Sequence, residues 1–179
     1  MTLRLMDGVK VPLTTTQMRS LEIIDGWDFS SERRKTQKDM ITIGQDPTEG
    51  FLDRGIFALR KYHAIAVLDP LNGHAISDVL DPFWHSQILH TEPYVRFCNE
   101  VLGQYMHHYP LDHLDVPEVG RVGRLYEYTI EIHQRIFGGN DEEFYPSSVV
   151  QDRVICYHGG NAQSAGETIF AVRPELALA

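Results

Sequence analysis

The chain has 179 residues, a formal charge of −9 and a pI near 5.4, with 42% hydrophobic and 10% aromatic residues. This length and composition give one globular domain with a core, too short for two and too apolar for a disordered chain. The acidic balance argues against nucleic acid or an anionic membrane surface as partner, since both need a basic face.

Two cysteines, Cys98 and Cys156, are too few for a disulfide framework, and the opening Met1-Thr2-Leu3-Arg4-Leu5-Met6 is no secretory signal because its apolar run ends at Asp7-Gly8. No window approaches the ~20 apolar residues that span a bilayer. A cytoplasmic protein is the expectation.

Residues 1–13 read as an extended lead-in, with Val9, Val11 and Leu13 alternating around Pro12. A first helix starts near Thr14–Thr16 and carries Met18, Leu21 and Ile24 before Gly26. Residues 30–37 form a surface helix, acidic at its start (Glu32) and basic later (Arg33-Arg34-Lys35), as the helix dipole favours. From Pro47 to Leu68, apolar residues recur at three- and four-residue spacing until Pro70.

Ser77-Asp78 opens the next predicted helix, which runs to Leu89 with Pro82 in its first turn. Thr91 caps another, predicted to continue to about His108 and stop at Pro110. After a loop with Asp112 and Asp115, Leu125, Tyr128, Ile132 and Ile136 mark a last helix ended by Gly138-Gly139. Beyond Pro146, Val149-Val150, Val154-Ile155 and residues 168–172 are short β-type runs. The expected fold is mainly α: a single compact multi-helix domain over residues 1–179, with a short β-hairpin or irregular tail from 146 to 179.

Seven of the nine histidines fall between residues 63 and 113, and the densest chemistry runs from Asp81 to Pro110. On one helix Asp81 and His85 are four apart and share a face, so the carboxylate can orient the imidazole and leave its other nitrogen for a metal or a proton. On the next, Tyr94 and Cys98 share a face. Laid on two antiparallel helices, His85 and the His107-His108 pair fall at opposite ends unless the hinge at His90-Thr91 bends sharply.

The spacing Trp84-His85-x-x-Ile88-Leu89-x-Thr91-x-x-Tyr94-x-x-Phe97-Cys98, followed by Gly103 and His107-His108-x-Pro110, resembles the glycine-rich domain-containing protein-like family. Leu59-Arg60-Lys61-Tyr62 ahead of it, and Tyr128-Thr129 and Phe137-Gly138 behind it, extend the resemblance over about residues 50 to 145. It implies a helical core and a stand-alone bacterial type, and it implies little chemistry because that family is a domain of unknown function.

Two functions from different classes follow. In the first, the domain is a metalloprotein holding zinc or non-haem iron through His85, His90, His107 and His108, with Asp81, Trp84, Tyr94 and Cys98 in support. Its substrate would be a small molecule or peptide. In the second, the Trp-His motif is structural, His85 is a buried residue beside the indole, and the chain is a protein-interaction module or accessory subunit. Cys98 then is a small core hydrophobe, His107-His108 cap a helix, and His63 and His74 are surface or incidental core residues. Cys156 and His158, two apart in the tail, offer further zinc ligands but lack two partners for a complete site. Neither phosphate-binding glycine motifs nor a Gly-x-Ser-x-Gly elbow occurs.

Overall fold

The computed structural model describes residues 4–139, 141–147, 153–160 and 170–176. The helices come in chain order as α1 (Leu5–Gly8), α2 (Thr15–Gly26), α3 (Ser30–Thr42), α4 (Glu49–Leu68), α5 (Asp81–Leu89), α6 (Thr91–Val101) and α7 (Val116–Phe137). Three strands, β1 (His74–Ser77), β2 (Tyr109–Pro110) and β3 (Val154–His158), and a short 3-10 turn at Pro174–Leu176 complete the described elements.

Local chemistry sets four of the helix ends. Thr14 forms a reciprocal capping box with Gln17 at the start of α2, at 3.2 and 3.0 Å. Thr48 accepts from the Phe51 amide to start α4, and Asp115 accepts from the Glu118 amide to start α7, with Pro117 in that first turn. Gly138, at φ +78°, closes α7 in the left-handed conformation.

Helix α4 is the axis of the core. Leu52, Leu59, Tyr62, Ile65 and Leu68 are fully buried along it, and it packs against α1, α2, α3, α5 and α7. Gly55 faces α5, where an added Cβ would overlap the buried Phe83 ring. Gly55→Ala is therefore expected to overpack the interface and cost about 1–3 kcal/mol, read as a lower urea midpoint at unchanged m-value. A midpoint equal to wild type would show that Phe83 moves aside freely.

The sheet is antiparallel in the order β1-β3-β2 and lies against α7. Its register pairs His74 with His158, Ile76 with Cys156, and Pro110 with Cys156 from the other side.

Several predicted elements differ. Residues 5–8 form a helical turn rather than extended chain, held by the Asp25 carboxylate accepting from the Leu5 amide at 2.7 Å. The helix expected from Ser77 starts only at Asp81, because residues 74–77 pair with β3. Helix α6 stops at Val101 rather than at His108: Gly103 takes φ +72°, which reverses the chain and leaves 104–108 extended or irregular. His107 and His108 are thus not helix caps. In the tail, Val154–His158 joins β1 and β2, so it forms no hairpin of its own; Val149, Val150 and residues 161–169 lie outside the described residues. The mainly helical fold with a small β component stands, and no helix among the described residues is long and apolar enough to cross a membrane.

Candidate metal centre

The early end of α6 has a chemical consequence. The chain doubles back after Gly103 and delivers His108 to the first turn of α5, where its Nε2 donates to Asp81 Oδ1 at 2.9 Å. Strand β3 reaches the same carboxylate from a third direction, and the Cys156 thiol donates to that oxygen at 3.0 Å. An oxygen, a nitrogen and a sulfur donor from three separate elements therefore lie within 4.8 Å of one another. His85, one turn beyond Asp81, stands edge-on to the His108 ring with centroids 5.9 Å apart.

The cluster sits at the edge of the core. The Asp81 and His108 side chains are each 16% exposed, Cys156 is fully buried, and His85 is exposed. Burial pushes the Asp81 carboxyl up, but the bonds from His108 and Cys156 outweigh it and hold the acid below its ordinary range. Burial, and then the neighbouring Asp81 carboxylate, pushes the Cys156 thiol well above its ordinary value. As it stands Cys156 is a protonated donor, not a nucleophile. Its acceptor is a carboxylate, whereas an activated thiolate needs a cation or a base beside it.

Trp84 and Tyr94 support the cluster from below. The fully buried indole packs on the His108 ring at 4.8 Å, and its N–H donates to the Tyr94 hydroxyl at 3.2 Å. Tyr94 in turn donates to the Met106 carbonyl at 2.5 Å, which ties down the segment that carries His108. Both residues have structural jobs. Cys98 is buried beside Tyr94, with its thiol pushed up by burial, and belongs to the core. The exposure of His85 does not fit a buried structural histidine.

The other predicted ligands do not join. His90 Nδ1 turns back on the Ser86 carbonyl of its own helix at 2.7 Å. His107 lies in an exposed row, edge-on to Tyr105 at 4.8 Å and tilted against Tyr109 at 6.0 Å. Asp112 and Asp115 accept from the amides of Leu114 and Glu118.

A second polar group lies deeper in the core. His63 and His74 are fully buried and partnered, not incidental. His74 Nε2 lies 3.1 Å from Asp69 Oδ2, off the angle of a hydrogen bond, and its ring stacks on Tyr128. Tyr128 donates to Asp69 Oδ2 at 2.6 Å, and the Asn72 amide donates to Asp69 Oδ1 at 2.7 Å. Burial pushes the Asp69 carboxyl up, but His74, Tyr128 and Asn72 together bring it below its ordinary range. Next to it, the Tyr62 hydroxyl meets His158 Nδ1 at 2.8 Å. One signal for this group is present in the sequence: Cys156 and His158 are two apart on a strand and so share a face.

Comparison with the curated proteins gives no match, and comparison with solved structures gives none. One family model matches the chain over residues 54–130, from Arg54 in α4 to Ile130 in α7, and its description is UCP032817-like. That stretch holds Asp81, His85 and His108, with Trp84 and Tyr94 beneath them, and ends before Cys156; the chain is similar to this family over the segment that builds two of the three clustered donors.

Proposed function

We propose that the chain is a metal-binding helical protein whose centre is formed by Asp81, His108 and Cys156, with His85 as the nearest fourth ligand and a small molecule or peptide as substrate. The observation that carries this is the convergence of three different donor atoms within 4.8 Å. Carboxylate, imidazole and thiol are the donors zinc takes in tetrahedral sites. The thiol favours zinc over non-haem iron, whose usual ligands are histidine and carboxylate. The fit has a cost in protons: Cys156 must lose its S–H, and His108 must move its proton from Nε2 to Nδ1. Both hydrogens now serve Asp81. Bound zinc would supply an acidic water or a polarised carbonyl. Asp81, His108 and Cys156 would fix its position, Trp84 would hold the His108 ring, and His85 at the exposed rim is placed to bind or to move a proton. The glycine-rich domain-containing resemblance of the motif is part of this proposal and adds helical architecture, not chemistry.

Zinc titration of untagged protein against a chromophoric chelator tests it. About one equivalent is expected to bind, with release of protons, and at a hundredfold excess over Kd the melting transition gains about 2.7 kcal/mol. His108→Ala and Cys156→Ser are expected to weaken binding by ~100-fold or more, beyond the loss of an outer partner. Binding below about a tenth of an equivalent, with no shift in melting, would sink the proposal.

A second reading is favoured by the Trp84–Tyr94–Met106 chain: a non-catalytic interaction module in which the motif only joins α5, α6 and the 104–108 segment. It predicts that zinc leaves the melting temperature unmoved.

A further inference from the structure

At the far end of β3 a histidine is left with one nitrogen unused. His158 is 4% exposed, and its ring is wedged edge-on against Tyr62 and Trp84 at 5.3 and 6.3 Å. The Tyr62 hydroxyl has a single proton and two neighbours, the His74 carbonyl at 3.0 Å and His158 Nδ1 at 2.8 Å. A carbonyl can only accept, so the Tyr62 proton goes to His74 and His158 Nδ1 must donate to the Tyr62 oxygen. His158 is buried and bonds to no carboxylate among the described residues, so its ring is a neutral imidazole whose one proton sits on Nδ1. The remaining nitrogen, Nε2, then carries a lone pair and no proton. No group among the described residues donates to it.

His158 lines a cavity of about 330 Å³, at the small end of the range that binds small molecules. Tyr105, His107 and Tyr109 form one wall, and Met106, Leu102 and Pro70 supply apolar surface. Glycines keep the strand end close to the facing turn: a Cβ at Gly73 would stand 2.6 Å from the His158 carbonyl oxygen, and one at Gly160 would overlap the Leu71 carbonyl. Among the described residues no lysine, arginine or carboxylate lines the cavity, so the described lining offers a charged ligand no counter-ion. The tyrosine rings are half-open at 40% and 41% and offer flat faces.

We propose that this cavity binds an uncharged ring compound bearing an O–H or N–H, with His158 Nε2 accepting that hydrogen and Tyr105 and Tyr109 flanking the ring. The site is separate from the Asp81 cluster and stands whether or not that cluster holds a metal.

Phenol and anisole are the probes, since they share a ring and only phenol has the donor. In a long-range proton–nitrogen spectrum of the labelled full chain, His158 is expected to show a protonated Nδ1 and a bare Nε2. Phenol is expected to shift that Nε2 signal and the amides of residues 105–109 with a millimolar Kd. Anisole is expected to bind about three- to tenfold more weakly, the effect of one net hydrogen bond. His158→Phe should erase the difference between the probes; if that variant does not fold, the wild-type comparison decides alone. A protonated Nε2, equal binding of the two probes, or no phenol-induced shift in this segment would overturn the proposal.

Discussion

Between pH 6.5 and about 4 the protein is expected to lose about 3 kcal/mol of stability through His63 alone. His63 is fully buried, parallel to the Phe29 ring at 6.5 Å and tilted against Phe97 at 4.6 Å. Burial lowers its pKa to about 4, against a small upward pull from the bond its Nε2 makes to Gln87 at 2.8 Å. The unfolded chain takes up a proton near pH 6.5 and the folded chain does not until about 4. Stability is therefore complete above 6.5, falls at up to 1.36 kcal/mol per pH unit in the window, and levels off below it. His158, also depressed, steepens the loss. Asp69 and Asp81 are depressed below the carboxylate range, so their stabilisation disappears only at still lower pH. Urea unfolding at pH 7, 6, 5 and 4.5 measures this. The double variant His63→Phe/Gln87→Leu removes both polar partners, and with them His63 Nδ1 and Gln87 Nε2, which have no partner now. Its profile is expected to lose one proton of slope. Wild-type stability that is flat from pH 7 to 5 would refute the buried neutral imidazole.

The helices were legible because their signals are local. Thr14 and Gly138 each act within one turn, and the apolar spacing of α4, and of α7 from Leu125 on, needs only its own residues; the start of α7 at Asp115 and Pro117 reads as loop. Strand β1 gave no such signal. His74-Ala75-Ile76-Ser77 is buried at every position, so no alternation shows, and its partner β3 is about 80 residues away. The end of α6 was misplaced for a related reason: the apolar spacing continues past Val101, while the stop depends on Gly103 taking a left-handed turn.

That single turn separates the expected site from the observed one. With α6 running to His108, Asp81 has only His85 within reach, and the histidine pair is stranded at the far end. With α6 stopped at Val101, His108 returns to Asp81 across 27 residues, and Asp81 spends its oxygen on His108 and Cys156 rather than on His85. The residue types were readable from Asp81 to His108. Their pairing was not, because it depends on a turn and on a strand contributed from 75 residues further on.

Trp84→Ala is expected to cost roughly 3–5 kcal/mol, the range for an indole deleted from a filled core. The indole is fully buried and touches three groups that matter: the Tyr62 ring at 5.3 Å, the His108 ring at 4.8 Å and the Tyr94 hydroxyl. Trp84→Phe separates packing from hydrogen bonding. It keeps most of the apolar surface and removes the N–H, while Tyr94 can still donate to Met106, so its cost should be near 1 kcal/mol. Urea unfolding followed by circular dichroism gives both values, and the fluorescence of Trp27 reports independently because that indole packs on Phe97, away from the site. If Trp84 only fills space, zinc affinity in Trp84→Phe should match wild type. If it also holds the His108 ring in position, affinity should fall about tenfold, as for other groups that orient a ligand. A cost under about 1 kcal/mol for Trp84→Ala would show that the indole is not the keystone of the α5–α6 junction, since so small a loss requires the cavity to collapse around neighbours that are themselves free to move.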